Sequence, residues 1–392
     1  MADVPVLLVL LLLIAILLQL DFVFYLVYLG AGTYALARWW TGRSLPALRV
    51  QRRLSDHMFL GQDADVEIEI ANARWWPVPW LRFDENLPIN LQMGQPVRRV
   101  VSLAPKERLR LTYQVSGRRR GYYAVGPLQL KTGDLFGFAQ AGGRVITEDH
   151  ITVYPYVVPL AQVHFQSRAP YGTIKSRQRI FADPTRIAGK REYLPGDPLH
   201  SIDWKSSSHS GSLQVKKYDP AVALASVILL NLRPEEYSRH LQAQASEWGI
   251  VVAASLASYL VRERQPVGLG SNGTDTLTGA HSWIIPPRPG RAHLMKLLEW
   301  LARVELTNGL PPFASWLPAA TAGLAWGTMV IVVSPSADGP DCQALHHLVR
   351  AGLTPVLLAI EPHYRLGPLQ ERARRLGFTA LIAADEHDLL CL

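Results

Sequence analysis

Cysteine is scarce in this chain: Cys342 and Cys391 are the two cysteines among its 392 residues. Two cysteines cannot build a framework of several disulfides, and their separation excludes the Cys-x-x-Cys spacing of metal-binding motifs. They predict two ordinary thiols in a reducing compartment. A small secreted domain held together by disulfides is therefore excluded.

Long runs of basic residues are missing too, although the net charge is +8 and the pI is about 9.5. The tightest clusters are Arg52–Arg53 and Arg118–Arg120, and we expect the second to be a solvated strand end. Domains that read nucleic acid have a basic stripe with interleaved aromatics, or a known motif. We expect no nucleic-acid partner, whereas anionic lipid headgroups remain compatible with the charge.

The common catalytic signatures are absent as well. The sequence has no GxxxxGK[ST] loop, so the chain is not expected to be an ATPase itself. It also has no G-x-S-x-G nucleophile elbow and no H-E-x-x-H zinc motif. These absences predict a protein that is not an enzyme, with no cofactor, no metal and no small-molecule substrate.

One long apolar run is present, from Val4 to Trp40, and it predicts a transmembrane helical hairpin over residues 1–40. A turn at Gln19–Asp21 would keep the Asp21 charge out of the bilayer centre, where it costs about 2.5–3.5 kcal/mol. One long tilted span is the alternative. Arginines follow the run while none precedes it, so the positive-inside rule places residues 41–392 in the cytoplasm of a multi-pass cell-membrane protein.

The rest of the chain changes its periodicity twice. Stretches such as DADVEIEIAN alternate polar and apolar residues, which predicts half-buried strands of an antiparallel β-sandwich. Farther on, strands alternate with helices, which predicts an α/β doubly wound parallel sheet. The predicted divisions are a hairpin at 1–40, a basic linker at 41–56, a β-sandwich at 57–160, a connecting segment at 161–212 and an α/β domain at 213–392.

The densest polar stretch is GKREYLPGDPLHSIDWKSS, residues 189–207. Its LPGDP sequence predicts a tight turn. We expect Trp204 to anchor that turn in a core, and Asp203 to pair with Arg191 or Lys205. The favoured interpretation is a structural junction between the two domains, and an exposed protein-docking surface on that junction is the second. A hydrolase or metal-dependent enzyme using Asp197, His200 and Asp203 is the third.

This stretch also resembles the signature of the "domain of unknown function 58" family. The resemblance rests on residues shared by the two patterns: Arg191, Tyr193, Pro195, Gly196, Asp197, Ile202, Asp203, Trp204 and Lys205. A second segment, RRRGYYAVGPLQLKTGDLFGFA, is similar to another stretch of the family. The resemblance implies a membrane protein with a β-domain and a von Willebrand factor A-like domain. It also implies a MoxR-type AAA+ ATPase as partner.

The resemblance implies a metal site that this sequence does not reproduce. A von Willebrand A domain binds its metal through Asp-x-Ser-x-Ser after the first strand, where this chain has VILLNLRPEEY. Asn231 stands in the place of the Asp, while Arg233 and Glu235 stand in the places of the serines. An arginine beside the site disfavours a cation, so we expect a degenerate metal site.

Taken together, the sequence predicts a membrane-anchored, non-enzymatic scaffold or adaptor that binds protein partners. The expected binding surface is the carboxyl edge of the parallel sheet, since ligands bind there in such folds. The candidate residues at that edge are Asn231, Arg233, Ser334, Ser336 and Asp338. The expected partner is a MoxR-type AAA+ ATPase in envelope or complex assembly.

Overall fold

The computed structural model describes residues 3–18, 21–94, 97–135, 137–144, 149–161, 163, 182–194, 202–220, 225–309, 311–361 and 366–392. The chain divides into two compact units. The first comprises Met1–Val157, Thr274–Ala280 and Leu298–Glu305; the second comprises Val158–Gly273, His281–Leu297 and Leu306–Leu392.

The chain begins with two helices, α1 (Asp3–Leu18) and α2 (Asp21–Ser44). The 16 residues of α1 extend for about 24 Å, shorter than the roughly 30 Å of a bilayer core. Helix α2 is longer, but Asp21, Arg38 and Arg43 interrupt its apolar sequence. In the part of the chain that the structure describes, no helix is both long and apolar enough to cross a membrane. The predicted transmembrane hairpin and multi-pass membrane location are therefore wrong.

Within the residues that the structure describes, ten strands make up the β-rich part of the first unit. They are β1 (Leu48–Arg53), β2 (His57–Phe59), β3 (Asp63–Asn72), β4 (Val78–Glu85), β5 (Arg98–Leu103), β6 (Arg108–Ser116), β7 (Gly121–Val125), β8 (Leu128–Gly133), β9 (Gln140–Arg144) and β10 (Asp149–Tyr154). They form three small sheets, in the orders β1-β3-β6, β5-β4-β8-β9 and β2-β10-β7. The alternation in β3 buries Val66, Ile68 and Ile70 completely in the shared core.

One strand pairing departs from the predicted antiparallel sandwich. Strand β2 pairs with β10 in parallel, from His57 with Thr152 to Phe59 with Tyr154. Antiparallel neighbours can be joined by a short hairpin, whereas parallel neighbours need a longer connection. β2 and β10 are far apart in sequence, so no short turn fixes their relative direction. The sheet β2-β10-β7 is therefore mixed, whereas the pairings in the other two sheets are antiparallel.

A buried cluster of charges joins strands from different sheets of the first unit. The Arg52 guanidinium donates to Glu85 Oε1 at 2.6 Å, Asp149 Oδ2 at 2.7 Å and the carbonyl of Val125 at 3.0 Å. Burial raises the pKa of Glu85 to about 7, and the Arg52 charge opposes this rise. The Glu85 side chain is fully buried whereas that of Asp149 is 42% exposed, so the cost of burying charge falls on Glu85 and Arg52.

Arg120 is a second buried cation in this unit. It is 9% exposed and donates from Nη1 to the carbonyls of Leu301, Ala302 and Val304 at 3.2, 3.1 and 2.9 Å. The expectation of a solvated strand end therefore holds for Arg118 and Arg119, which are exposed, and is wrong for Arg120. The last carbonyls of a helix have no partner within it, and Arg120 supplies donors at that position.

The later part of the chain contains helices and strands in alternation. They are β11 (Ala182–Glu192), α3 (Trp204–Ser210), β12 (Gln214–Pro220), β13 (Ser226–Leu230), α4 (Gln242–Arg262), β14 (Val267–Asp275), β15 (His281–Arg288), α5 (Arg291–Arg303), β16 (Val304–Glu305), α6 (Phe313–Thr321), β17 (Met329–Ser334), α7 (Gly339–Arg350), β18 (Thr354–Ala359), α8 (Leu366–Leu376), β19 (Thr379–Ile382) and α9 (Glu386–Leu390). The end of α5 and β16 belong to the first unit.

A largely parallel sheet lies at the centre of the second unit, in the order β15-β14-β13-β17-β18-β19. The pairs β14–β13, β13–β17, β17–β18 and β18–β19 are all parallel. Strand β13 is buried along its whole length, as a strand covered on both faces must be. Helix α4 packs very close to this sheet at Gly249, where an added Cβ would lie 2.9 Å from Ile360 Cδ1.

Candidate functional site

The carboxyl ends of β13 and β17 bring two polar residues together. Asn231 follows β13, and Ser334 is the last residue of β17; because the strands are parallel neighbours, both lie at one edge of the sheet. The Asn231 amide donates to Ser334 Oγ at 3.0 Å. Asn231 is fully buried and Ser334 is 1% exposed, so this pair forms the floor of the edge rather than its surface.

Every polar atom of the Asn231 side chain has a partner. Its Nδ2 also donates to Glu236 Oε2 at 2.7 Å. Its Oδ1 accepts from the backbone N–H of Arg233 and from Asn272 Nδ2, both at 3.1 Å. Asn272 in turn accepts from the backbone N–H of Leu232 at 2.7 Å. This network connects the loop that follows β13 to the neighbouring strands β14 and β17. Buried polar groups are costly unless they are hydrogen-bonded, so these bonds stabilise the loop in this position.

The Arg233 guanidinium lies above this floor, between two carboxylates. Its Nε lies 3.1 Å from Glu235 Oε2, and its Nη1 lies 3.1 Å from Glu236 Oε1. Glu236 Oε1 also accepts from the backbone N–H of Phe313 at 2.9 Å. The positive charge at this edge is therefore supplied by a side chain, and it is held in place by charge-assisted hydrogen bonds.

The loop after β17 completes the site. Ser334 Oγ accepts from the backbone N–H of Ser336 at 3.2 Å, and Ser336 Oγ accepts from that of Asp338 at 3.4 Å. Ser336 is buried, whereas Asp338 is exposed at the start of α7. Burial raises the pKa of Asp341, in the first turn of α7, to about 6; a hydrogen bond with Ser336 opposes the rise, and the charges of Glu236 and Asp338 add to it.

The structure adds site residues that the sequence reasoning missed or set aside. Glu236 lies in the loop after β13 and Asn272 lies within β14, and neither was named as a site residue from the sequence. Tyr237 is buried and donates to the Asn231 carbonyl at 2.5 Å. Glu361, 1% exposed, accepts from Ser238 N at 2.8 Å and from Ser238 Oγ at 2.6 Å. The polar residues after each parallel strand were the available signal.

The donor set at this edge does not fit a metal ion. Across the described ranges, no group of three or more His, Cys, Asp or Glu side chains is arranged to hold one. The Asn231 oxygen already accepts two hydrogen bonds, and the Arg233 guanidinium lies beside the two nearest carboxylates. A hard cation needs several free oxygen ligands.

The signature segment is described on both sides of its central turn. Tyr193 is half-buried and donates its backbone N–H to the Leu213 carbonyl at 2.8 Å. Ile202 is buried and forms a bridge with Val215. The backbone of Arg191 lies in β11, paired antiparallel with Val215 of β12. Pro195, Gly196, Asp197 and His200 lie outside the described residues.

Asp203 has a structural role at the start of α3. Its carboxylate accepts from the backbone N–H of Ser206 at 3.2 Å, and it pairs with Lys190 Nζ at 3.1 Å. Lys190 extends from β11 beside the helix start, and Lys205 is exposed. The side chain of Arg191 lies outside the described residues, so its predicted pairing with Asp203 stays a prediction. Asp203 is thus the N-cap of a short helix, a position that aspartate favours.

Trp204 does not anchor a core. It is the first residue of α3, directly after the N-cap Asp203, and is 65% exposed. Leu194 and Leu213 are exposed as well, at 61% and 44%. The expected burial of Trp204 is therefore wrong.

Fold and site define a two-unit chain: a β-rich unit and an α/β unit whose parallel sheet carries a polar carboxyl edge. The family model described as "Protein of unknown function DUF58" matches residues 189–342, which include the signature segment and the ends of β13 and β17. A curated relative, the "Uncharacterized protein YeaD" of Bacillus subtilis (strain 168), is 22% identical over 265 residues. The match covers 66% of this chain and 62% of that protein, so the chain spans about three fifths of the relative's length.

Two solved structures resemble parts of this chain weakly. The CARDB domain of the PF1109 protein from Pyrococcus furiosus is 19% identical with a TM-score of 0.21, covering 27% of this chain and 91% of that one. Trypsin-activated alpha-2-macroglobulin from Escherichia coli is 16% identical with a TM-score of 0.23, covering 40% and 9%. At such scores neither likeness carries an argument about fold or function.

Proposed function

We propose that this chain is a non-enzymatic scaffold that binds a protein partner through the carboxyl edge of its parallel sheet. The α/β unit would act as a von Willebrand A-like domain whose metal position is replaced by side-chain chemistry. The partner suggested by the family resemblance is a MoxR-type AAA+ ATPase. Membrane anchoring is no part of this proposal.

The proposal rests on the position of the Arg233 guanidinium, which is held between the carboxylates of Glu235 and Glu236. A metal-dependent domain of this kind would present a cation to an acidic group of its partner. Here the guanidinium is half-buried, held by Glu235 and Glu236, and supported by the saturated hydrogen bonds of Asn231. Such an edge is preorganised, so a partner would bind without first ordering it.

The candidate residues divide into supporting and contacting groups. Asn231, Ser334 and Ser336 are buried and would act by holding the loops. Arg233 and Asp338 reach solvent and would touch the partner. The enzymatic alternative has less support, since Asp203, one of its three proposed groups, serves as a helix cap and pairs with Lys190.

The test is crosslinked affinity purification of the full-length protein with its MoxR-type ATPase, read by mass spectrometry. Arg233→Glu and Asp338→Arg are each expected to abolish recovery of the ATPase. Arg375→Glu is the matched control, because Arg375 is 76% exposed in the last turn of α8, at the opposite end from the strand carboxyl ends. Undiminished recovery with both edge variants, from protein with a normal circular dichroism spectrum, would exclude this surface.

A further inference from the structure

The second unit contains an open cleft that the proposed docking edge does not use. Its volume is about 460 Å³, within the roughly 300–1,000 Å³ range of ligand-binding pockets. One wall is the N-terminal half of α4, and the other is formed by Ile360, which follows β18, and by residues 384–386. The cleft therefore lies near the carboxyl ends of β18 and β19, where open α/β sheets bind ligands.

The floor of the cleft is apolar and fixed in shape. Leu241, Ala245, Val251 and Ile360 line it, and Ile360 is 1% exposed. The Trp248 indole is half-buried in the same lining, and its Nε1 donates to the Ala383 carbonyl at 2.7 Å. This bond connects the α4 wall to the chain segment after β19, so the apolar surface is present before any ligand arrives.

The rim carries charge of one sign. Glu247, Asp385 and Glu386 line the cleft, and of the described residues no Lys, Arg or His does so. Asp385 and Glu386 are exposed, while Asp385 also caps α9 by accepting from the backbone N–H of Asp388 at 2.8 Å. The chain as a whole has a net charge of +8, so this acidic rim is a local reversal of its surface charge.

We infer that this cleft binds a peptide segment of a partner protein in which apolar side chains alternate with lysine or arginine. The apolar side chains would fill the floor against Leu241 and Trp248, which are half-buried, and the cations would face Asp385 and Glu386 at the rim. The inference is independent of the proposed function, since it uses none of the residues of the Arg233 edge.

The test measures fluorescence anisotropy of the full chain with three fluorescein-labelled hexapeptides. One alternates leucine with lysine, one alternates leucine with glutamate and one alternates serine with lysine. The leucine–lysine peptide is expected to bind saturably with a Kd of about 10–100 μM, and more weakly as salt rises, because the rim charges are solvent-exposed. The other two peptides are expected to bind at least about tenfold more weakly, because the leucine–glutamate peptide lacks the cations and the serine–lysine peptide lacks the apolar side chains.

Two variants locate the binding. Gln244 is exposed and lines the cleft, so Gln244→Trp fills it and should weaken binding at least about tenfold. Ala243→Trp is the matched control, because Ala243 is an exposed neighbour on the same helix outside the cleft lining. Glu386→Lys should weaken binding and reduce its salt dependence, whereas Glu371→Lys on α8 should not.

Three outcomes would overturn the inference. Equal binding of the leucine–lysine and serine–lysine peptides would show a general acidic patch. Unchanged binding by Gln244→Trp would place the site elsewhere. Absence of saturable binding of the leucine–lysine peptide would exclude the proposed ligand, and self-association of the chain that Gln244→Trp abolishes in sedimentation would then assign the cleft to a second copy. None of these outcomes depends on whether Arg233 binds an ATPase, so the two proposals fail separately.

Discussion

The side-chain amide of Asn231 donates to the carboxylate of Glu236 at 2.7 Å, inside the edge of the parallel sheet. This contact explains why an amide suits this position better than a carboxylate. A carboxylate at 231 would bring two negative charges together in a buried place. The same Glu236 carboxylate pairs with Arg233, so its charge is stabilised by the Asn231 amide and the Arg233 guanidinium together.

Asn231→Asp is expected to destabilise the second unit by about 3 kcal/mol or more, because it buries a charge that faces Glu236 and removes the donor to Ser334. The new carboxyl should have a raised pKa, so the loss should be smaller at pH 5 than at pH 8. Urea unfolding at both pH values measures it. Asn308→Asp, at an exposed turn, is the control, and equal stability of the two variants at pH 8 would contradict the prediction.

Asp341→Asn is expected to stabilise the second unit at high pH. The folded pKa of Asp341, about 6, lies above its usual value of 3.8 because of burial. Its contribution to stability is therefore fully present below about pH 4 and is lost as the pH rises through about 6. The amide mimics the protonated form, so the variant should gain up to about 3 kcal/mol at pH 8 and little at pH 4.5.

Chemical unfolding at these two pH values tests the Asp341 prediction. Glu386→Gln serves as the control, since Glu386 is an exposed carboxylate on α9 and is not among the groups that shift the pKa of Asp341. A variant less stable than wild type at pH 8 would show that the buried carboxylate is itself required.

Glu85→Gln is expected to flatten the pH dependence of the first unit. The raised pKa of Glu85, about 7, means that its stabilising contribution is present below about pH 4.5 and is lost as the pH rises through about 7. Wild type should lose more than about 1.4 kcal/mol relative to the variant between pH 5 and pH 8. Hydrogen exchange at the amides of β4 reports on this unit alone.

Asp84→Asn is the matched control for Glu85, since Asp84 is the adjacent carboxylate. The pKa of Asp84 is lowered by its hydrogen bonds and charge contacts with Arg82 and Arg98, against an opposing effect of burial. It therefore titrates below the window measured. Parallel pH profiles for wild type and Glu85→Gln would contradict the prediction.

Asp203→Ala is expected to cost about 1 kcal/mol, since it removes the cap of α3 and the contact with Lys190. Trp204→Ala should cost less than about 0.5 kcal/mol, because Trp204 is 65% exposed. Urea unfolding of the full chain compares the two, with the exposed Lys205→Ala as control. A larger loss at Trp204 than at Asp203 would show that the indole packs in a core after all.

The sequence alone determined those helices and strands that a local pattern of apolar and polar residues indicates. Alternation in DADVEIEIAN indicated β3, since burial of one face of a strand imposes a period of two residues. Strand-then-helix alternation indicated the parallel sheet and placed Asn231 and Ser334 at the carboxyl ends of their strands. The weak point was the apolar N-terminal run, where hydropathy indicated a membrane span but the helices end too soon or carry charge.

Tertiary structure decided the features that depend on distant partners. Asn272 and Glu236 reach Asn231 only because β14 and the loop after β13 meet at one edge. The parallel pairing of β2 with β10, the burial of Arg120 and the exposure of Trp204 likewise depend on packing between segments far apart in sequence. Local periodicity records which face of an element is buried, but it does not record what that face is buried against.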